Sequence, residues 1–429
     1  MARCRYGWLR PALTVVVLGA VGMAPGCDGD DPPCQGAACD GAGGEGGAAE
    51  VTPCPDSGVL YGPWSLRLDT TSAVVRWDAC RPSSAALTVR PIAGGAALSF
   101  DGQQTGAEIT TRFDHFDTVP PDLPGTRYTT EVELTGLAPS TCYEYELEAE
   151  PGRTGRVCTA RTAGQPFRFL AIGDTNPSLG GTAGVLDAAL PFEPEFTVHV
   201  GDLQYYASVL ETWATWFPDM APLLRQGGAF MPCPGNHEYE VAGEFEDYYL
   251  RLFGHAGFDG TIDYYRFQSG GVWMFSLNTE IDLAPGSDQA DWLEQQLADA
   301  AGQPGYRFGI VYLHRPMITL ADYSQLRTER EHFAPLFEQH GVVLVLQGHV
   351  HGYERFVDGS VTYVTTGGGG GALHDLDVRI DDRPEEAALR QASAESYQSI
   401  LFDVDATSLR ARVLSDEAEV LDEFTIDVP

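Results

Sequence analysis

The chain of 429 residues is longer than one hydrophobic core usually organises, and its 43% apolar content is enough for two. Its formal net charge is -35, and all 26 basic residues are arginine, with no lysine anywhere. Such a field repels polyanions, and no arginine cluster offsets it, so a nucleic-acid polymer or a directly bound anionic bilayer is excluded as a partner.

At the N-terminus Arg3, Arg5 and Arg10 precede the apolar stretch from Ala12 to Ala24, which is too short to span a bilayer and reads as an export signal over residues 1–26. Ala24-Pro25-Gly26-Cys27 resembles a bacterial lipoprotein processing site, although Ala24 and Pro25 depart from its leucine-rich form. The mature chain is therefore expected outside the cytoplasm, either secreted or lipid-anchored at the bacterial envelope through Cys27. Residues 27–54 are Gly, Ala, Asp and Cys with almost no large apolar side chain, and they read as a tether.

Residues 55–164 change to alternating apolar and polar positions, as in Ser65 to Leu68, Ala73 to Trp77 and Ala86 to Val89, the pattern of strands in an all-β sandwich. The stretch from Val132 to Tyr143 resembles the tyrosine-corner signature of fibronectin type III domains, and Trp77 suits their core tryptophan. Cys54, Cys80, Cys142 and Cys158 fall in or beside this region and permit three disulfide pairings that the sequence does not separate. The favoured one joins Cys54 to Cys80 and Cys142 to Cys158.

Residues 165–429 alternate strands and helices. The short apolar runs Phe167 to Ile172, Phe196 to Val200, Ala229 to Met231, Val272 to Leu277, Phe308 to Leu313 and Val342 to Leu346 read as buried strands. A helix is predicted from Asp288 to Ala300 behind an N-cap at Ser287, and another from Leu326 to His340, stopped by Gly341. Three further strands are predicted near Ile400, Leu409 and Phe424. The whole reads as a multidomain chain: a sandwich, then an α/β domain with its sheets packed between helices.

Each of five polar blocks follows one of these runs: Asp174 after a glycine, Asp202 to Tyr205, Asn236 to Glu238, His314-Arg315, and His349 to His351. Residues just past strand carboxyl ends converge on one edge of an α/β sheet, so the blocks are expected to meet there. Carboxylate and imidazole donors in that number suit a two-metal site. Asp202 is a candidate bridge, since one carboxylate can hold two cations. In an extended segment His349 and His351 would point to one side and reach adjacent cations. A Tyr205 phenolate would favour iron(III).

With these blocks on hand, the chain from the sandwich onward resembles the purple acid phosphatases among the calcineurin-like metallophosphoesterases, whose α/β domain has four layers (αββα). The resemblance implies a dinuclear centre. Iron(III) would take Asp174, Tyr205 and His351, a divalent iron, zinc or manganese ion would take Asn236, His314 and His349, and Asp202 would bridge them. It further implies that His237 contacts phosphate and that a metal-activated hydroxide hydrolyses small phosphate monoesters. Arg315 is a weaker candidate for substrate contact. Two positions depart from the family: Thr175-Asn176 follow Asp174, and Ala321 to Ser324 lack the histidines that plant members carry there as candidate leaving-group acids. Asp322, Tyr323 and His332 are candidate replacements. A phosphodiesterase or nucleotide hydrolase on the same scaffold is the first alternative, and a non-catalytic adhesion or calcium-binding surface protein the second.

Overall fold

The computed structural model describes residues 54–109, 125–176, 179–205, 213–240, 243–254 and 263–428. The export signal, Cys27 and nearly all of the tether lie outside them.

Alternation along the strands sorts the α/β part into layers. In Phe167–Ile172, Phe169 and Ala171 face a core between two sheets, whereas Leu170 and Ile172 face helices on the other side. Phe308–Tyr312 repeats the arrangement, with Ile310 and Tyr312 turned to the same inter-sheet core and Val311 to a second helical layer. Gly181–Ala189 and Trp213–Gln226 cover the first sheet, and Asp288–Ala301 and Arg327–His340 cover the second. The result is helix, sheet, sheet, helix. The Ser287 side chain accepts from Ala290 N at 3.2 Å, and Gly341 ends its helix in the left-handed region at φ 69°, so the expected start and the expected stop both hold.

Both sheets contain parallel strands whose carboxyl ends point to one edge. Phe167–Ile172, Phe196–His199 and Ala229–Pro232 are adjacent and parallel in the first sheet, and Val272–Ser276, Phe308–Tyr312, Val342–Gln347 and Val361–Thr366 in the second. The C-terminal strands Gln398–Val404, Ser408–Ser415 and Val420–Asp427 extend the first sheet antiparallel.

The N-terminal strands form two antiparallel sheets around a core containing Trp77, Val75, Val89 and Tyr145. One holds Leu98–Asp101, Ala86–Pro91, Cys142–Leu147 and Thr154–Cys158. The other holds Val59–Leu66, Ala73–Ala79, Gly125–Leu134 and Gln103–Ile109, and it is not separate from the α/β part. Val59–Leu66 pairs parallel with Ala229–Pro232 at Ser65 and Ala229, which makes one ten-stranded sheet. The junction is further tied by Trp64 Nε1 to Leu252 O at 3.2 Å, by Arg251 to the buried Asp78 at 2.6 Å, and by a bidentate Arg161–Glu195 pair at 2.7 Å. The Tyr143 hydroxyl accepts from Ala138 N at 2.8 Å across its corner. Cys54 is bonded to Cys80 and Cys142 to Cys158, while Cys233 is a buried free thiol.

Candidate metal centre

The five blocks do converge, on turns just past the parallel strands. Asp174, Asp202 and His349 all have positive φ, at 57°, 51° and 68°, a region non-glycine residues enter only when their surroundings impose it. The histidines of the last block therefore reach the site differently from the extended geometry expected. Val350 N donates to Gly348 O at 2.8 Å, which closes a tight turn centred on His349, and Val350 is buried with Ala321 and Leu376. Glycines allow the turns to close on the ligand side chains. A Cβ on Gly235 would lie 2.2 Å from Asp202 Oδ1, one on Gly367 2.8 Å from Asp174 Oδ2, and one on Gly371 2.5 Å from the His351 ring. The run from Gly367 to Gly371 thus serves close approach, with Gly369 N and Gly371 N donating to Gly173 O and Asp174 O.

Two donor sets result. In the first, the Tyr205 hydroxyl lies 3.2 Å from Asp174 Oδ1 and 2.9 Å from His351 Nε2, which is 3.5 Å from the same Asp174 oxygen. In the second, His314 Nε2 lies 3.0 Å from Asn236 Oδ1, 3.2 Å from His349 Nδ1 and 3.2 Å from Asp202 Oδ2. Backbone carbonyls aim the rings: His351 Nδ1 is 2.7 Å from Ala372 O and His314 Nδ1 2.9 Å from Val200 O, so in both the Nε2 atom faces inward.

The donors fit bound cations. Coordinating atoms of Asp202, His314 and His349 lie within 4.8 Å of one another, and His349 Nε2 is buried without a hydrogen-bond partner among the described residues. Burial opposes charge on His314 and His237, yet the Asp202 carboxylate raises them to about 9 and about 10, with Glu240 also raising His237. Asp202 itself is pushed up by burial but held well below the carboxylate range by His314, His237 and His349. Burial and the neighbouring His314 depress His349.

Residues 167–353 match the family model of calcineurin-like phosphoesterases. The chain carries a calcineurin-like phosphoesterase domain. Over 273 residues it is 30% identical to an uncharacterized protein of Mycobacterium tuberculosis, covering 52% of this chain and 49% of that one. Purple acid phosphatase 15 of Arabidopsis thaliana is 27% identical over 264 residues, covering 52% and 48%. The chain spans about half the length of these curated relatives. Purple acid phosphatase PPD1 from yellow lupin (Lupinus luteus) seeds shares the fold, at a TM-score of 0.67 and 18% identity, over 85% of this chain and 74% of that one.

Around this centre, several of the candidate residues have partners of their own. Arg315 pairs with Glu280 through two contacts of 2.9 and 3.0 Å, which brace the His314 loop. The Thr175 hydroxyl does not crowd the donors; it bonds Leu203 O at 2.6 Å and His199 Nε2 at 3.1 Å, placing His199 behind the site. Asp322 pairs with Arg379 at the surface, and His332 pairs at 2.8 Å with Glu294 on the neighbouring helix. Tyr323 is the candidate that reaches the centre, its ring 5.0 Å from that of His349. His374, which no sequence pattern singled out, stacks on His351 at 4.1 Å and bonds Tyr323 at 3.0 Å.

Glu354, in the block after His351, is a bracket for the phosphoesterase domain. Its buried carboxyl accepts from Thr319 Oγ1 at 2.5 Å and Leu320 N at 3.1 Å, holding the loop that follows His314. Burial pushes it up to about 7 from the ordinary 4.5. A carboxyl raised in the folded state contributes stability that is complete below about pH 4.5 and lost as pH rises through about 7, on the order of 3 kcal/mol in all. Glu354→Gln is expected to flatten the decline of unfolding free energy between about pH 5 and about pH 8 in guanidinium titrations. An unchanged slope would refute this role.

Proposed function

We propose that this chain is an exported, dinuclear-metal hydrolase of small phosphate monoesters, of the purple acid phosphatase kind. The two adjoining donor sets, one of them containing the Tyr205 phenol, carry the reading. Asp174, Tyr205 and His351 would hold iron(III); Asn236, His314 and His349 would hold a divalent iron, zinc or manganese ion, with Asp202 between them. Bound cations would neutralise charge on the phosphoryl oxygens and acidify a water. His237 does the chain's own part. Its Nδ1 is held by Glu240 at 2.8 Å and its ring lies 4.2 Å from Tyr205, which leaves Nε2, 3.8 Å from Asp202 Oδ2, to meet a phosphoryl oxygen. No side chain acts as a nucleophile in this scheme.

Export and, at Cys27, lipid anchoring rest on the N-terminal sequence alone; intact-mass analysis of envelope-associated protein tests them, and an uncleaved N-terminus would refute export. The proposal that residues 55–164 are a fibronectin type III domain is supported by the Tyr143 corner and the buried Trp77.

The visible absorption spectrum and metal content of the purified protein test the central reading. A broad mid-visible band with about two metals per chain, iron among them, is expected. Two metals without that band would remove Tyr205 from the ligand set. Faster turnover of a bis(nitrophenyl) diester than of nitrophenyl phosphate would replace the monoesterase with the diesterase.

A further inference from the structure

We propose that Tyr323, oriented by His374, donates a hydrogen bond to the ester oxygen of the bound substrate at the edge of the metal centre. The inference rests on the phosphatase reading and deepens it by naming the group that meets the leaving group.

Hydrogen-bond direction carries the argument. His351 N donates to His374 Nδ1 at 3.0 Å, so that nitrogen must present its lone pair. The ring proton of a neutral His374 is then on Nε2, 3.0 Å from the Tyr323 hydroxyl, and the phenol oxygen accepts it. The Tyr323 O–H is consequently directed away from His374, and accepting a hydrogen bond makes it a stronger donor. Both rings lie against ligand histidines: Tyr323 meets His349 edge to face at 5.0 Å, and His374 stacks on His351 at 4.1 Å with an interplanar angle of 15°. The phenol thus lies beside residues that would hold the cations.

The pair is also held rigidly. Arg383 donates to the carbonyls of Thr319, Ala321 and Tyr323 at 2.8, 3.2 and 2.7 Å, and Arg379 N donates to Leu320 O at 2.8 Å. These contacts clamp the segment carrying Tyr323 to the segment that follows His374, so both are fixed relative to His349 and His351. Tyr323 and His374 are partly exposed, as a residue facing substrate must be.

The role predicts dependence on the leaving group. An alkyl phosphate, whose departing oxygen is strongly basic, needs the donor far more than nitrophenyl phosphate does. Tyr323→Phe keeps the ring and should lower kcat/KM for an alkyl phosphate at least about tenfold more than for nitrophenyl phosphate, a differential of about 1.4 kcal/mol, with metal content unchanged. His374→Phe keeps the stack on His351 but not the hydrogen bond. It should reproduce that selectivity in part, and the double variant should be no worse than Tyr323→Phe alone. An equal loss on both esters, additive losses, or loss of metal from Tyr323→Phe would overturn the proposal and leave the phosphatase reading standing. A wild-type protein with two metals and no turnover of either ester would overturn both.

Discussion

Replacing Asp202 with asparagine is expected to lower turnover by on the order of 10³-fold and to take bound metal from about two per chain to about one or none. Asp202 sits at φ 51°, a conformation asparagine tolerates, so the variant keeps the backbone and removes only the charge and one acceptor oxygen. That charge organises the site: Asp202 Oδ2 lies 3.2 Å from His314 Nε2 and 3.8 Å from His237 Nε2, and Oδ1 accepts from His237 N at 3.0 Å. Without it, two cations would share a pocket lacking its central anion. Metal analysis after dialysis, alongside turnover of nitrophenyl phosphate, checks the expectation. Retention of both metals and full turnover would show that Asp202 is not a ligand.

The second large effect falls on stability. Glu238 is buried, and its carboxyl accepts three backbone N–H groups, from Asp202 at 3.1 Å, Leu203 at 2.8 Å and Gly235 at 2.7 Å. It therefore ties the Asp202 turn to the Asn236 turn. Alanine there would strand three buried donors, each worth about 1–3 kcal/mol, and the expected loss is about 4 kcal/mol of unfolding free energy. Glu238→Gln keeps one acceptor oxygen and should lose clearly less. Guanidinium unfolding of the metal-free proteins measures both. A change below about 1 kcal/mol for Glu238→Ala would mean that the turns are held elsewhere.

The chemistry of the centre was legible in the chain because strand carboxyl ends in parallel sheets share an edge. Apolar runs ending at Ile172, Val200, Met231, Leu313 and Leu346 were enough to say that the residues just beyond them would meet. The helix from Asp288 and the stop at Gly341 were likewise local matters, decided by a capping hydroxyl and by glycine's tolerance of positive φ. Less local features were misread or missed. The extended path expected through His349 and His351 is a tight turn, because the surrounding glycines let Asp174 and His351 approach the backbone closely. The pairing of Arg315 with Glu280, 35 residues earlier, is a contact that the sequence beside His314 does not announce.

Sequence by itself determined which donor atoms are available and which strand ends carry them, because residue identity and alternation are properties of neighbours along the chain. Tertiary structure alone decided the rest: the union of the sandwich sheet with the α/β sheet at Ser65 and Ala229, the hold of Glu238 on the distant amides of Asp202 and Leu203, and the placement of His374 against His351, 23 residues away. Those contacts form between segments with no common periodicity. Only the packing of two sheets and the loops at their edge brings them within hydrogen-bonding distance.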